Sequence, residues 1–304
     1  MPSPSQYERS AIQQIHLWKN PRRTWLDTAS DVISWPVQKV GDVVAQVPGF
    51  EDVVGKATTG IIGLLNDGAH YTVRVNAVLD DYKILNGGHT PSLKDICNLD
   101  LHVVDKAMGW LDTKYEGLAL VEGAAVGGSA VINPMVALAA IPTDLVALLT
   151  LNLRAIGEYA TYCGFDISSQ EERLFALNVL AYSSSSTDVA KQAALAQLVR
   201  IARDVASKAT WKQLEEHLFV QAIQQIAKAL GIRLTKAKLG NVIPAAGAVI
   251  GGGYNAYFTD KVCKAAFYLY RERFLARRYG VDIIEITVPP ASTLTPDFEE
   301  SQHP

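Results

Sequence analysis

The stretch GAAVGGSAVINPMVALAAIPT, residues 123–143, contains no Asp, Glu, Lys, Arg or His and runs straight into Asp144. It has an echo 116 residues later, LGNVIPAAGAVIGGGYNAYFT, residues 239–259, which runs into Asp260. From each Asp a helix-like segment leads to a glycine twenty residues on, Gly164 or Gly280, and a second acid follows, Asp166 or Asp282. Seven of the 24 positions from Thr143 to Asp166 are identical in the echo. This pattern predicts an all-α protein built on two pseudo-repeated, Gly/Ala-rich apolar hairpins, with little or no strand.

An uncharged run of 21 residues is long enough to cross a bilayer. Asn133, Pro134 and Pro142 interrupt the first run, and Asn241, Pro244 and the triplet Gly251, Gly252 and Gly253 interrupt the second. Neither is rich in Leu. Small residues such as Gly123, Gly127, Gly128 and Gly247 let helix backbones approach closely. Three readings stay open: a tightly packed core of helical hairpins, a pair of broken helices that dip into a membrane, and two true spans.

Outward from the runs, the rest of the chain also reads as helix. Residues 5–20 form an amphipathic segment with Tyr7, Ala11, Ile12, Ile15 and Trp18 on one stripe, stopped by Asn20 and Pro21. Segments over 37–47 and 51–85 follow, the latter weakened by Gly60, Gly63 and Gly68. Ser92 to Asp95 and Ser168 to Glu171 resemble capping boxes. Helices are expected from Thr187 to about Lys208 and from Thr210 to Gly231. Residues 281–288 alternate weakly and suit an edge piece or arm. The domain reading is one helical unit over 5–286, with an N-terminal part to about 115 and a repeat-containing core from about 116. Residues 287–304 form an acidic, Pro-bearing tail that reads as disordered.

Composition narrows the function classes. Hydrophobic content of 49% against 19% charged lies on the apolar side for a soluble protein. A net charge of −3 argues against a general nucleic-acid binder. Cys97, Cys163 and Cys263 are odd in number, far apart and form no CxxC, which points to a reducing, cytoplasmic setting. The start shows no secretory signal pattern.

Two constellations carry candidate chemistry. Asp144 and Asp260 follow Thr143 and Thr259, which are placed to cap new helices with the Asp in the first turn. If the two units dock, the carboxylates of Asp144 and Asp260, with Glu158, would form an acidic enzyme site. The second is the segment from Lys261 to Arg278, where six basic residues face one acid, Glu272. Lys264, Arg271 and Arg278 share a face at seven-residue spacing. With Lys261 and Arg277 they form a candidate contact for anionic headgroups; the plainer reading is a solvated basic face paired with acids such as Glu171, Glu172, Glu215 and Glu216. No HExxH, GxSxG, P-loop or GxGxxG occurs, the six histidines show no ligand spacing, and no metal or cofactor is expected.

Several of these residues together resemble the bacterial EcsC family. They are Glu122 and Gly123 through Gly128, Pro142 to Asp144, Arg154 to Glu158, Tyr162 to Asp166, and Glu171 to Arg173. Ile243 to Gly247, Gly251 to Gly253, Asn255 and Ala276 to Gly280 echo them, and Tyr7, Glu8 and Trp18 suit the family's beginning. The likeness spans about residues 5–282; Cys163, where Tyr-Gly is more usual, departs from it. The family takes its name from a protein encoded beside an ABC transporter, and its biochemical activity is undefined. Some members carry peptidase labels that no residue here supports.

The resemblance implies a non-catalytic accessory of a transporter or envelope system, peripheral at the inner membrane. Anionic lipids or a membrane protein such as an ABC transporter would be its partners. An enzyme with an acidic site between the units and a soluble helical interaction module are the alternatives.

Overall fold

A computed structural model describes residues 3–20, 73–85, 87–129, 134–185, 191–196 and 247–280, with 55–56, 59–60, 198 and 226. Residues 122–129, 134–143, 170 and 247–254 are described by their backbone alone. The segments expected over 37–47, 210–231 and 281–304, and most of those over 51–72 and 187–208, lie outside the described residues. Among the described residues the protein is 81% helical, with no strand.

The principal helices are α1 (Gln6–Lys19), α2 (Val75–Leu85), α3 (Leu101–Met108), α4 (Leu111–Ser129), α5 (Pro134–Tyr162), α6 (Gln170–Ser184) and α7 (Gly247–Tyr279). Helix α1 starts as its sequence dictates. The Ser5 hydroxyl accepts from Glu8 N, and the Glu8 carboxylate accepts from Ser5 N at 2.8 Å. This reciprocal capping box satisfies two otherwise orphan donors. The two capping boxes expected from sequence shift. Ser169, not Ser168, caps α6 by accepting from Glu172 N at 3.2 Å, while Ser168 turns back to Asp166. The Ser92 hydroxyl donates to Asp95 at 2.5 Å, but a short 3-10 turn over Asp95–Asn98 follows, and α3 begins only at Leu101.

The two glycines that end the echoing segments do terminate helices. Gly164 has φ +79° and Gly280 φ +60°. At the end of α5, Phe165 N donates to Ala160 O and Gly164 N to Thr161 O, both at 2.9 Å. That is the Schellman arrangement, which needs a left-handed residue at the glycine position. A Cβ on Gly164 would also lie 2.8 Å from the Leu93 carbonyl oxygen.

The Thr-Asp steps differ from expectation. Asp144 lies inside the continuous helix α5 and Asp260 inside α7, so neither opens a helix. A local cap signal is a weak prior that an extended helix overrides when both its sides find packing partners. Pro134, by contrast, takes the first position of α5, where a missing N–H costs nothing.

Helix α7 is the axis of the fold. It packs most extensively against α4 and also meets α1, α5, α6 and the 3-10 turn. Every residue from Leu269 to Leu275 is buried, so this stretch is enclosed on all sides. Around it, Leu145, Leu148, Leu149, Ile156, Phe175, Leu177 and Leu180 complete one core. Trp18 stacks on Tyr268 at 4.9 Å and docks α1 against α7.

Candidate functional site

Enclosing the densest charge in the chain has a physical consequence. A buried ion is tolerated only when it is paired and hydrogen-bonded. Arg273 forms a fork with Glu172, with two bonds of 2.6 Å. Its guanidinium lies 4.1 Å from the ring centroids of both Phe165 and Phe175. Glu272 pairs with Lys19 of α1, and burial raises the Glu272 pKa against that pairing. Arg278 donates to the Leu99 carbonyl and lies 3.4 Å from Glu8. The Tyr279 hydroxyl donates to Glu8 at 2.6 Å. Burial pushes the Glu8 carboxyl up, but the bonds from Tyr279 and Ser5 and the Arg278 charge outweigh it and lower its pKa.

The residues of the headgroup set expected from sequence differ in exposure. Arg271 is 3% exposed and cannot reach a lipid surface from its place in the core. Arg277 keeps an exposed side chain but donates to the Gly164 carbonyl at 3.0 Å, tying α7 to the cap of α5. Lys264 is exposed and pairs with Asp260 one turn back at 2.7 Å. Lys261 lies over the exposed Tyr257 ring at 4.5 Å. The seven-residue spacing of Lys264, Arg271 and Arg278 does mark one face, but that face is turned toward α1 and α3.

Between those elements lies a cleft of about 370 Å³. Helix α1 contributes Tyr7, Ser10 and Gln14, α3 Asp105 and Met108, α4 Asp112, α5 Tyr159, and α7 Cys263, Lys264, Phe267, Tyr268 and Arg271. On one wall, Arg271 donates to Asp105 Oδ2 at 2.6 Å and to Gln14 Oε1 at 2.9 Å. The Tyr7 hydroxyl donates to the same Asp105 oxygen at 2.7 Å. Burial raises the Asp105 pKa, opposed by Arg271 and Tyr7. Two buried atoms of this pair, Asp105 Oδ1 and Arg271 Nε, have no hydrogen-bond partner among the described residues. Nothing in the sequence around Asp105 signalled this role. Tyr7 stood out only as part of an amphipathic stripe and of the family likeness.

The proposed acidic trio is not assembled. Asp144 and Glu158 stand fourteen positions apart on α5, about 21 Å along its axis. Glu158 is instead held by Lys114 at 2.5 Å, with Arg154 at 3.8 Å. Asp260 lies against Glu116, whose pKa is raised by burial and then by the Asp260 charge. Among the described residues no group of three or more His, Cys, Asp and Glu is placed to hold a metal ion.

The same contacts orient α4 on α7. Asp112 shares the cleft wall with Lys264, whereas Glu116, one turn further along α4, lies against Asp260, one turn back along α7. The helices therefore run antiparallel. Carried along both helices, this register sets Ser129 level with Gly247. In this register Gly123 falls level with Gly253, and Gly127 and Gly128 fall level with Val249 and Ala248. At the edge of this pair Leu118, Leu120, Val121 and Tyr257 are 47, 51, 70 and 55% exposed. No helix among the described residues is long and apolar enough to cross a membrane.

A helix with buried, paired charges at the axis and a helical shell around it define an all-α protein. The chain belongs to the EcsC protein family, which it matches over residues 9–275. It is similar to "Uncharacterized protein YdbA" of Bacillus subtilis (strain 168), at 26% identity over 271 residues, covering 88% of this chain and 92% of that relative. No solved structure matches it.

Proposed function

We propose that the protein associates peripherally with a membrane through the far end of the α4–α7 pair, without spanning it. The observation that carries this reading is the exposure of Leu118, Leu120, Val121 and Tyr257. On α4 the open positions of the first half are polar, with Asp112, Thr113, Lys114 and Glu116, and those beyond are apolar, with Leu118, Leu120 and Val121. A contiguous exposed apolar patch marks a site of interaction with a partner or a membrane. From Leu118 to Ser129 the axis is about 16 Å long, roughly half of the ~30 Å hydrocarbon thickness. This depth suits a segment that dips into one leaflet. Tyr257 with Lys261 over its ring suits the interface, where amphipathic rings and long cationic side chains settle.

In this reading the two glycine-rich runs are halves of one inserting unit, related as a pseudo-repeat. Lys261 and Lys264, rather than Arg271, supply what attraction there is to anionic headgroups. Such a protein suits an accessory place beside a transporter or envelope system on the inner face.

Flotation of the full chain on phosphatidylcholine vesicles containing phosphatidylglycerol tests the reading. The wild type is expected to float at low salt and to stay largely bound at 0.5 M salt, because insertion is apolar. The Leu118→Glu/Val121→Glu double variant is expected to lose at least tenfold in bound fraction. Wild-type protein left at the bottom of the gradient would sink the proposal. Recovery with native membranes but not with lipid vesicles would instead favour a membrane-protein partner for the same surface.

A further inference from the structure

The turn of the α4–α7 pair just inside the exposed apolar end sets two carboxylates against each other. On α4, Leu120 stands one turn beyond Glu116, and on α7, Tyr257 stands one turn before Asp260. Each acid therefore shares a face with an exposed apolar residue. The antiparallel register that puts Glu116 level with Asp260 also brings Leu120 and Tyr257 to within about one residue of the same level. Asp112 lies one turn further in on α4. Lys264 closes on Asp260 at 2.7 Å, and Lys261 lies over the Tyr257 ring at 4.5 Å. On α5, Arg154 and Glu158 turn to each other and to Lys114. The half-exposed Glu116 thus meets a carboxylate on the facing helix, and that carboxylate already has its cation.

Like charges in contact favour the protonated form of one partner. Burial raises the Glu116 pKa above its ordinary value of 4.5, Asp260 and then Asp112 raise it further, and Lys264 offsets only part of this. Docking on a bilayer acts in the same direction. The interfacial layer is roughly 5–8 Å deep on each side of the hydrocarbon, and one helical turn is about 5.4 Å. With Leu120 and Tyr257 at the hydrocarbon edge, Glu116 and Asp260 fall within that layer, where an ionised carboxylate loses solvating water.

We infer that docking of this end on a membrane takes up one proton from solvent, held between the carboxylates of Glu116 and Asp260, so that acidification strengthens docking. The inference rests on the membrane reading above and adds its regulation. The proton forms one O–H bond on a carboxylate oxygen, is accepted by the other carboxylate as a hydrogen bond, and returns to solvent on release. The sign follows from linkage: a carboxyl whose pKa is higher in the docked state contributes affinity at low pH and loses it as pH rises through the docked value. Each unit of that rise corresponds to about tenfold in affinity.

The test is flotation of the full chain on phosphatidylcholine vesicles, which carry no net charge, at pH 7.5 and 5.5 in 0.15 M salt, with circular dichroism at both values to follow the fold. The wild-type partition constant is expected to rise about tenfold on acidification. Glu116→Gln should bind at pH 7.5 as wild type does at pH 5.5 and change less than threefold between the two. Asp260→Asn should flatten the response likewise. Asp80→Asn, at an exposed position of α2, which packs on α3 and α5, should keep the wild-type ratio. Histidines titrate in the same range; a gain driven by them would survive both Glu116→Gln and Asp260→Asn and overturn the assignment. Wild type that floats equally at both pH values sinks this inference and leaves the membrane reading standing. Wild type that floats at neither, nor on the anionic vesicles above, sinks both.

Discussion

Replacing Arg273 with Met tests whether the basic character of α7 is structural. The wild-type guanidinium donates twice to Glu172 at 2.6 Å, between two phenylalanine rings, with both side chains less than 9% exposed. Met keeps the length and apolar contact but strands the Glu172 carboxylate. Breaking a buried pair by removing one partner costs about 3–5 kcal/mol, and the lost ring contacts lie within the same order, about 2 kcal/mol when desolvated. We expect about 4 kcal/mol in total. For 304 residues the unfolding entropy is about 0.6 kcal/mol per degree, so Tm should fall by about 6 °C. The assay is urea and thermal unfolding of the full chain followed by circular dichroism. The double variant Arg273→Met/Glu172→Met is the control, since apolar replacement of a whole buried pair is often neutral; it should recover most of the loss. Were Arg273→Met to shift stability by less than 0.5 kcal/mol, or the double variant to lose as much as the two single ones together, the enclosed ion pair would not be what holds α6 to α7. Vesicle binding should be unchanged by Arg273→Met, whereas a lipid-facing arginine would lower it.

Gly164→Ala should cost more than 2 kcal/mol in the same assay, because a left-handed Ala alone costs about 1–2 kcal/mol and its Cβ would meet the Leu93 carbonyl, a backbone atom that cannot swing aside. Gly117→Ala is the opposite case: a Cβ there meets nothing within 4 Å in the middle of α4, so stability should rise by about 0.5–1 kcal/mol. The depressed pKa of Glu8 means its carboxylate stabilises the fold above about pH 4.5, its ordinary value, and that this contribution disappears as pH falls through the lower folded value. The stability difference between wild type and Glu8→Gln should therefore be largest near pH 7 and shrink steadily below pH 4.5; a difference that grows on acidification would contradict the Tyr279–Glu8–Arg278 arrangement.

What could be read in advance divides by range. The stop at Asn20 and the glycine ends of α5 and α7 are set by neighbours within a few residues, and each is where the residue types put it; the Ser5–Glu8 box is equally local but was not singled out. The Thr143–Asp144 and Thr259–Asp260 steps show the limit of such signals: good cap chemistry lies unused because packing extends the helix through it. The lining of the α7 charges was legible only in part: Glu172 could be named among the acids that would pair them, but not its burial with Arg273 nor the role of Asp105. Arg273 answers Glu172 from 101 positions away and Arg271 answers Asp105 from 166. Periodicity along one helix reports a shared face, not what lies opposite. A buried, fully paired arginine and a lipid-facing one therefore look alike in sequence.

That distinction also bears on function. At Arg271, Glu272 and Arg273 the charge of α7 lies inside the protein with a partner, and at Leu118, Leu120 and Val121 the apolar surface of α4 faces outward. Each placement runs against its transfer preference in a water-only setting. The first is compensated by ion pairs drawn from α1, α3 and α6. The second has no such compensation on those exposed faces. In the reading proposed above, a bilayer leaflet supplies it at that end of the α4–α7 pair. Charge on Leu118 and Val121 should therefore abolish vesicle association without unfolding the protein, while charge removed from the core of α7 should do the reverse.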